Sequence, residues 1–180
     1  MVHLPNAITI FRLLMVPFAV WFLLEGKYDV AFWVFLIAGI SDAVDGFIAK
    51  QFDATTELGS YLDPLADKAL LVSVYVTLGV QGLLIDWLVI LVVFRDLLIL
   101  AGAILYYAMT QNMLTVDPHP FSKVNTAAQI VLVVMVLGAL AFDVDFGLFQ
   151  TVMVYFVGIT TLVSGAVYMI RWLRTTALME

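Results

Sequence analysis

Apolar residues come in six long runs, each broken by a short polar or glycine-bearing link. The runs cover roughly 5–25, 29–50, 59–83, 85–109, 121–143 and 149–172, and a hydrocarbon core takes about 20 helical residues to cross. The links fall around Gly26–Lys27, across Gln51–Leu58, at Gln81–Asp86, over Thr110–Pro120 and at Asp143–Gly147. No internal repeat is visible. The pattern predicts an all-α integral membrane protein of six transmembrane helices, one domain over residues 1–180. Composition agrees: 64% of the 180 residues are hydrophobic and 12% charged, where a soluble domain is nearer half and a quarter. Mean hydropathy is +1.08.

Polar positions inside these runs carry the information. Asp42 and Asp45 close the second run, and Asp63 and Asp67 open the third. The first pair is spaced i, i+3 and the second i, i+4, so each pair shares one helical face. Carboxylates at membrane depth are expensive and need a partner. Four hard oxygen donors across a short link are the set a Mg²⁺ or Mn²⁺ ion takes. Asp42 stands eight residues before Lys50, and Asp67 eight residues after Gly59; that is roughly 12 Å along either helix. The four carboxylates are therefore expected at one level.

Charge sets the expected orientation. Arg12, Lys50, Lys123, Arg171 and Arg174 fall at one side of a six-span layout. Lys27 stands at the other with Glu25, Asp29, Asp86, Asp143 and Asp145. Basic residues mark the cytoplasmic side, which places both termini and the Lys50–Gly59 link there. The first run carries Arg12 and has no separate cleavage region, so it is expected to be retained as a span. With no Arg- and Ser-rich leader in view, a bacterial inner membrane is expected, with the mitochondrial inner membrane as the alternative. Net charge is −6 and there are no cysteines. Thiolate metal sites are excluded, and no basic stripe exists for nucleic acid. His3 and His119 read as interfacial loop residues.

Three further polar groups sit near the same side. Asn6, Thr9 and Arg12 form a stripe on the first run, with Arg12 either snorkelling to headgroups or meeting substrate. Arg95–Asp96 lies within the fourth run, where an ion pair is expected to be functional or self-neutralising. Ser122, Lys123, Asn125, Thr126 and Gln129 open the fifth run, and a helix start offers free N–H groups to an anion. Gly46, Ala49 and Gly59 are small enough to let a phosphate or a neighbouring helix approach. Together these features suit metal-dependent phosphoryl-type transfer, with one carboxylate taking the proton of an attacking hydroxyl. An intramembrane ion or proton transporter is the alternative from another class. It leaves Gly46 and Gly59 unexplained, and no acidic chain continues across the span.

The window Asp42–Asp67 resembles the signature of the CDP-alcohol phosphotransferases, also called class I CDP-alcohol phosphatidyltransferases, D-x2-D-G-x2-A-R-x8-G-x3-D-x3-D. Asp42, Asp45, Gly46, Ala49, Gly59, Asp63 and Asp67 all fall in register. Lys50 stands where the family has Arg, which keeps the charge and loses the bidentate fork. The resemblance implies that Asp42, Asp45 and Asp63 ligate two Mg²⁺ or Mn²⁺ ions. Asp67 would complete the metal site and act as the catalytic base. Gly46, Ala49, Lys50 and Gly59 would accommodate the CDP and its phosphates. The donor would be CDP-diacylglycerol, the by-product CMP and the assembly a homodimer.

Within the family the chain is most similar to the phosphatidylglycerophosphate and cardiolipin synthase branch. The stretches L-P-N-A-I-T-I-F-R and G-S-Y-L-D-P-L-A-D-K carry that likeness. S-K-V-N-T at 122–126 and R-D at Arg95–Asp96 favour the cardiolipin side, where others in the branch show G-K-x-K-T and R-E. A monoester phosphate bears nearly two charges and a diester one. Asn125 in place of a second lysine therefore suits phosphatidylglycerol over glycerol 3-phosphate as acceptor. Asn6, Thr9, Arg12, Arg95, Lys123 and Asn125 are the candidate contacts to that acceptor.

Overall fold

The computed structural model describes the backbone of residues 3–52, 57–110 and 120–177. Side chains are described for residues 10–41, 66, 68–102 and 121–170. Within these the chain is all helix: α1 (His3–Leu24), α2 (Tyr28–Phe52), α3 (Glu57–Val80), α4 (Asp86–Thr110), α5 (Pro120–Phe142) and α6 (Gly147–Ala177). The shortest has 22 residues and the longest 31, or ~33 Å and ~46 Å at 1.5 Å per residue. Phe121–Phe142 and Gly147–Ile170 are long and apolar enough by themselves to cross a membrane.

Glycine closes α1 and α3 in a left-handed turn, while after α5 Asp143 takes that conformation with φ 53°. Gly26 has φ 71° and Gly82 φ 71°. At the end of α1, the Gly26 N–H donates to the Leu23 carbonyl at 3.0 Å and Lys27 N–H to Phe22 at 2.9 Å. At the end of α3, Gly82 donates to Gly79 at 2.8 Å and Leu83 to Leu78 at 2.9 Å. This paired pattern satisfies carbonyls that the helix leaves open, and only glycine enters it without strain. Gln81 adds a side-chain cap, its Nε2 donating to the Leu23 carbonyl at 2.6 Å. In the α1–α2 link, Lys27 pairs with Glu25 at 2.6 Å and its hydrogen bond holds that carboxyl below its ordinary pKa.

The chain forms two compact units. The first comprises Met1–Leu84 and Val133–Phe146, and in it α1 packs on both α2 and α3. Small residues line the contacts: Ala19, Ala31, Ala38 and Ala66 are all at most 1% exposed. Without a Cβ branch to separate them, the backbones can approach closely. Leu23, Val74, Tyr75 and Leu78 fill the rest. Phe32 meets Phe142 edge to face at 5.3 Å.

The second unit comprises Ile85–Leu132 and Gly147–Glu180, where α4 packs on α6. Gly158 lies against the Trp87 side chain. A Cβ there would lie 2.8 Å from Cη2 and Cζ3 of Trp87, whose ring stacks on Tyr155 at 6.0 Å. Gly158→Ala gains helix propensity of up to about 1 kcal/mol and suffers overpacking of about 1–3 kcal/mol. The net expected result is a loss of about 1 kcal/mol in thermal unfolding of the detergent-solubilised protein. Trp87→Ala in the same chain should erase that loss, because the clash is with the indole.

Polarity runs inside out. Arg12, Arg95, Asp96, Asn125, Gln129, Thr161 and Ser164 are buried, while Leu148, Ile90, Ile159 and Phe94 are at least 60% exposed. Large apolar side chains facing outward along the described parts of α4 and α6 require surroundings of hydrocarbon.

Candidate functional site

The signature lies on the two helices that flank the 53–56 link. The backbone is helical through Asp42, Asp45, Gly46, Ala49 and Lys50 on α2, and through Gly59, Asp63 and Asp67 on α3. The spacings i, i+3 and i, i+4 therefore act as helical spacings. The side chains of those residues, and of Asn6 and Thr9 on α1, lie outside the described residues. No group of three metal-capable side chains occurs among the residues that are described. By donor chemistry the four carboxylates fit a hard divalent cation.

Four sequence-predicted site residues have described side chains. Arg12 is 1% exposed. A snorkelling arginine keeps its head in water, so this burial sets the anchor reading aside and leaves Arg12 an interior cation. Lys123 is exposed on the first turn of α5. Arg95 and Asn125, at 2% and 0% exposure, belong to a polar cluster that joins α4, α5 and α6.

Arg95 directs all three guanidinium nitrogens at protein groups. Nη1 donates to Asp96 Oδ1 at 2.7 Å, and Nη2 to Ser122 Oγ and Ser164 Oγ, both at 2.6 Å. Nε donates to Ser164 Oγ at 3.1 Å. The Tyr168 ring stands 5.8 Å from Cζ, within cation–π range. A buried cation is tolerable only when paired and hydrogen-bonded, and Arg95 meets both conditions. The sequence reading has this residue touching an acceptor phosphate; the structure shows its nitrogens on Asp96, Ser122 and Ser164.

One turn further along α5, Asn125 Oδ1 accepts hydrogen bonds from Thr160 Oγ1 and Thr161 Oγ1, both at 2.9 Å. Its Nδ2 has no partner among the described residues. A buried donor left unsatisfied costs roughly 1–3 kcal/mol. Thr160, Thr161 and Ser164 escape a reading by hydropathy because they sit singly or in pairs in an apolar run. Their signal is the spacing i, i+3 and i, i+4, which puts them on one face.

Comparison with known proteins places the chain in a family. A family model described as CDP-alcohol phosphatidyltransferase matches residues 2–173. The human cardiolipin synthase (CMP-forming) is 30% identical over 92% of this chain and 60% of its own length. The rice chloroplastic CDP-diacylglycerol–glycerol-3-phosphate 3-phosphatidyltransferase 1 is 34% identical over 94% of this chain and 57% of its own. The Haemophilus influenzae CDP-diacylglycerol–glycerol-3-phosphate 3-phosphatidyltransferase is 36% identical over 41% of this chain and 42% of its own. The chain thus spans about 60% of the length of the human protein. With its signature in register on α2 and α3, and the match running nearly end to end, the chain belongs to the CDP-alcohol phosphatidyltransferase family.

Proposed function

We propose that the protein transfers the phosphatidyl group of CDP-diacylglycerol to phosphatidylglycerol, giving cardiolipin and CMP. The acceptor hydroxyl oxygen forms a bond to the phosphatidyl phosphorus. The anhydride bond to CMP breaks, and CMP leaves with the electron pair. Asp67 takes the hydroxyl proton. Asp42, Asp45, Asp63 and Asp67 would hold two Mg²⁺ or Mn²⁺ ions, whose charge offsets that of the diphosphate. Lys50 would meet the diphosphate, while Gly46, Ala49 and Gly59 would let it approach the backbone. The chain is read as six spans with both termini cytoplasmic, working as a homodimer in a bacterial inner membrane.

The acceptor assignment rests on Asn125. A phosphodiester headgroup carries one negative charge, and Lys123 supplies one positive charge on the same helix start. Asn125 adds a neutral donor, its unpartnered Nδ2. A second lysine there would suit the monoester of glycerol 3-phosphate better, since that group carries nearly two charges at neutral pH. Glycerol 3-phosphate remains the second reading, because relatives on both sides of the branch match at similar identity.

Purified protein given CDP-diacylglycerol should release CMP with phosphatidylglycerol as acceptor, and at least about tenfold more slowly with glycerol 3-phosphate. Asn125→Lys should narrow that ratio by bringing a second charge to the helix start. Product from glycerol 3-phosphate alone would overturn the acceptor assignment and leave the family chemistry standing. CMP release with neither acceptor would overturn the transferase reading itself.

A further inference from the structure

We infer that Ser164 is a positioning residue for acceptor recognition, acting through Arg95 on the first turn of α5. The inference rests on the reading of Lys123 and Asn125 as acceptor contacts. It starts from the unusual commitment of Arg95. Ser164 Oγ, itself 1% exposed, receives both Nε and Nη2 of the guanidinium. The same Nη2 reaches Ser122 Oγ at 2.6 Å. Ser122 is in the first turn of α5, next to the exposed Lys123. A continuous relay thus runs from α6 through α4 to the start of α5, joining residues 69 and 27 positions apart.

α6 is shaped to receive this guanidinium. Gly165 lies against the arginine stem, where a Cβ would make an ordinary contact of 3.6 Å with Arg95 Cγ. Tyr168, one turn from Ser164, covers the guanidinium with its ring. Thr160 and Thr161, one turn the other way, take the Asn125 oxygen. α6 therefore holds α5 at two points. Thr160 and Thr161 hold it directly at Asn125, and Ser164 holds it through Arg95 at Ser122. Between those points lies Lys123. The relay fixes the first turn of α5, and with it the place of Lys123, against α4 and α6. Recognition of a headgroup by that charge depends on its position being set before binding. An arginine with every nitrogen spent on protein is built to hold other groups in place.

Steady-state kinetics of the full chain in mixed micelles test this, with CDP-diacylglycerol and phosphatidylglycerol varied independently. Ser164→Ala should raise KM for the acceptor about tenfold and leave kcat and KM for CDP-diacylglycerol within about twofold. Ser164→Thr keeps the hydroxyl and should restore the acceptor KM. Ser122→Ala cuts the same relay at its other end and should show the same signature, which keeps the test available if Ser164→Ala does not fold. Equal effects on both substrates, an effect on kcat alone, or no effect would each overturn the inference. Should the wild type use glycerol 3-phosphate and not phosphatidylglycerol, the acceptor assignment fails. The relay then stands or falls on KM for glycerol 3-phosphate. A wild type inactive with both acceptors overturns both.

Discussion

Asp67→Asn is expected to abolish CMP release, with kcat lowered by about 10²–10⁴-fold from loss of the base alone. The substitution preserves shape and one oxygen. It removes the charge that would hold a cation and the basicity that would take the acceptor's proton. Asp42→Asn should also inactivate, but through metal affinity, so raised Mg²⁺ or Mn²⁺ should recover part of its activity and none of that of Asp67→Asn. Chelator should silence the wild type reversibly. Stability gives an independent check. Without a cation, the four carboxylates, if they share one membrane depth as proposed, would repel one another. The Asp67→Asn protein should then unfold at the same temperature as the metal-free wild type or higher. Added Mg²⁺ should raise the unfolding temperature of the wild type by preferential binding to the folded state, and raise that of the variant less. Retention of more than about a tenth of wild-type kcat would remove Asp67 from the base role.

How much of this was legible beforehand follows from the range of each interaction. The order of elements was, because apolar runs and their breaks are local. Gly26 and Gly82 stand in the links expected around Gly26–Lys27 and Gln81–Asp86, and both adopt the left-handed turn. Boundaries were less so. The third run was expected over 59–83, whereas α3 spans Glu57–Val80. Leu83 is apolar, yet its N–H turns back to Leu78 to close the helix. At the other end of the chain, α6 continues to Ala177, past the expected 172. Arg171 and Arg174 end the apolar run, but arginine is a good helix former and does not end the helix. The signature was legible because its spacing is itself helical. The relay was not. Arg95 and Ser164 are 69 residues apart, and no local pattern records which helix supplies the partner. Arg95–Asp96 could be read as an ion pair from adjacency, and the two do pair at 2.7 Å. That the same arginine also spends its other nitrogens on two serines depends on how α4, α5 and α6 pack.

The second large effect concerns that arginine. Arg95→Ala should destabilise the protein by about 3–5 kcal/mol, the range for breaking a buried pair by removing one partner. The pair is dry, with side chains 2% and 3% exposed, so water cannot take the place of the guanidinium beside Asp96. Arg95→Lys keeps a charge and loses the fork that reaches Ser122 and Ser164 together, and should fall between alanine and wild type. Arg95→Met combined with Asp96→Leu provides the separating measurement. Replacing both members of a buried pair by apolar groups of similar volume is often neutral, so most of the lost stability should return in thermal unfolding. The relay to Ser122 is still cut in that protein. Its KM for the acceptor should therefore remain raised while its fold is restored. Were stability and acceptor KM to recover together, Arg95 would be a structural pair alone, and the first turn of α5 would hold its shape without it.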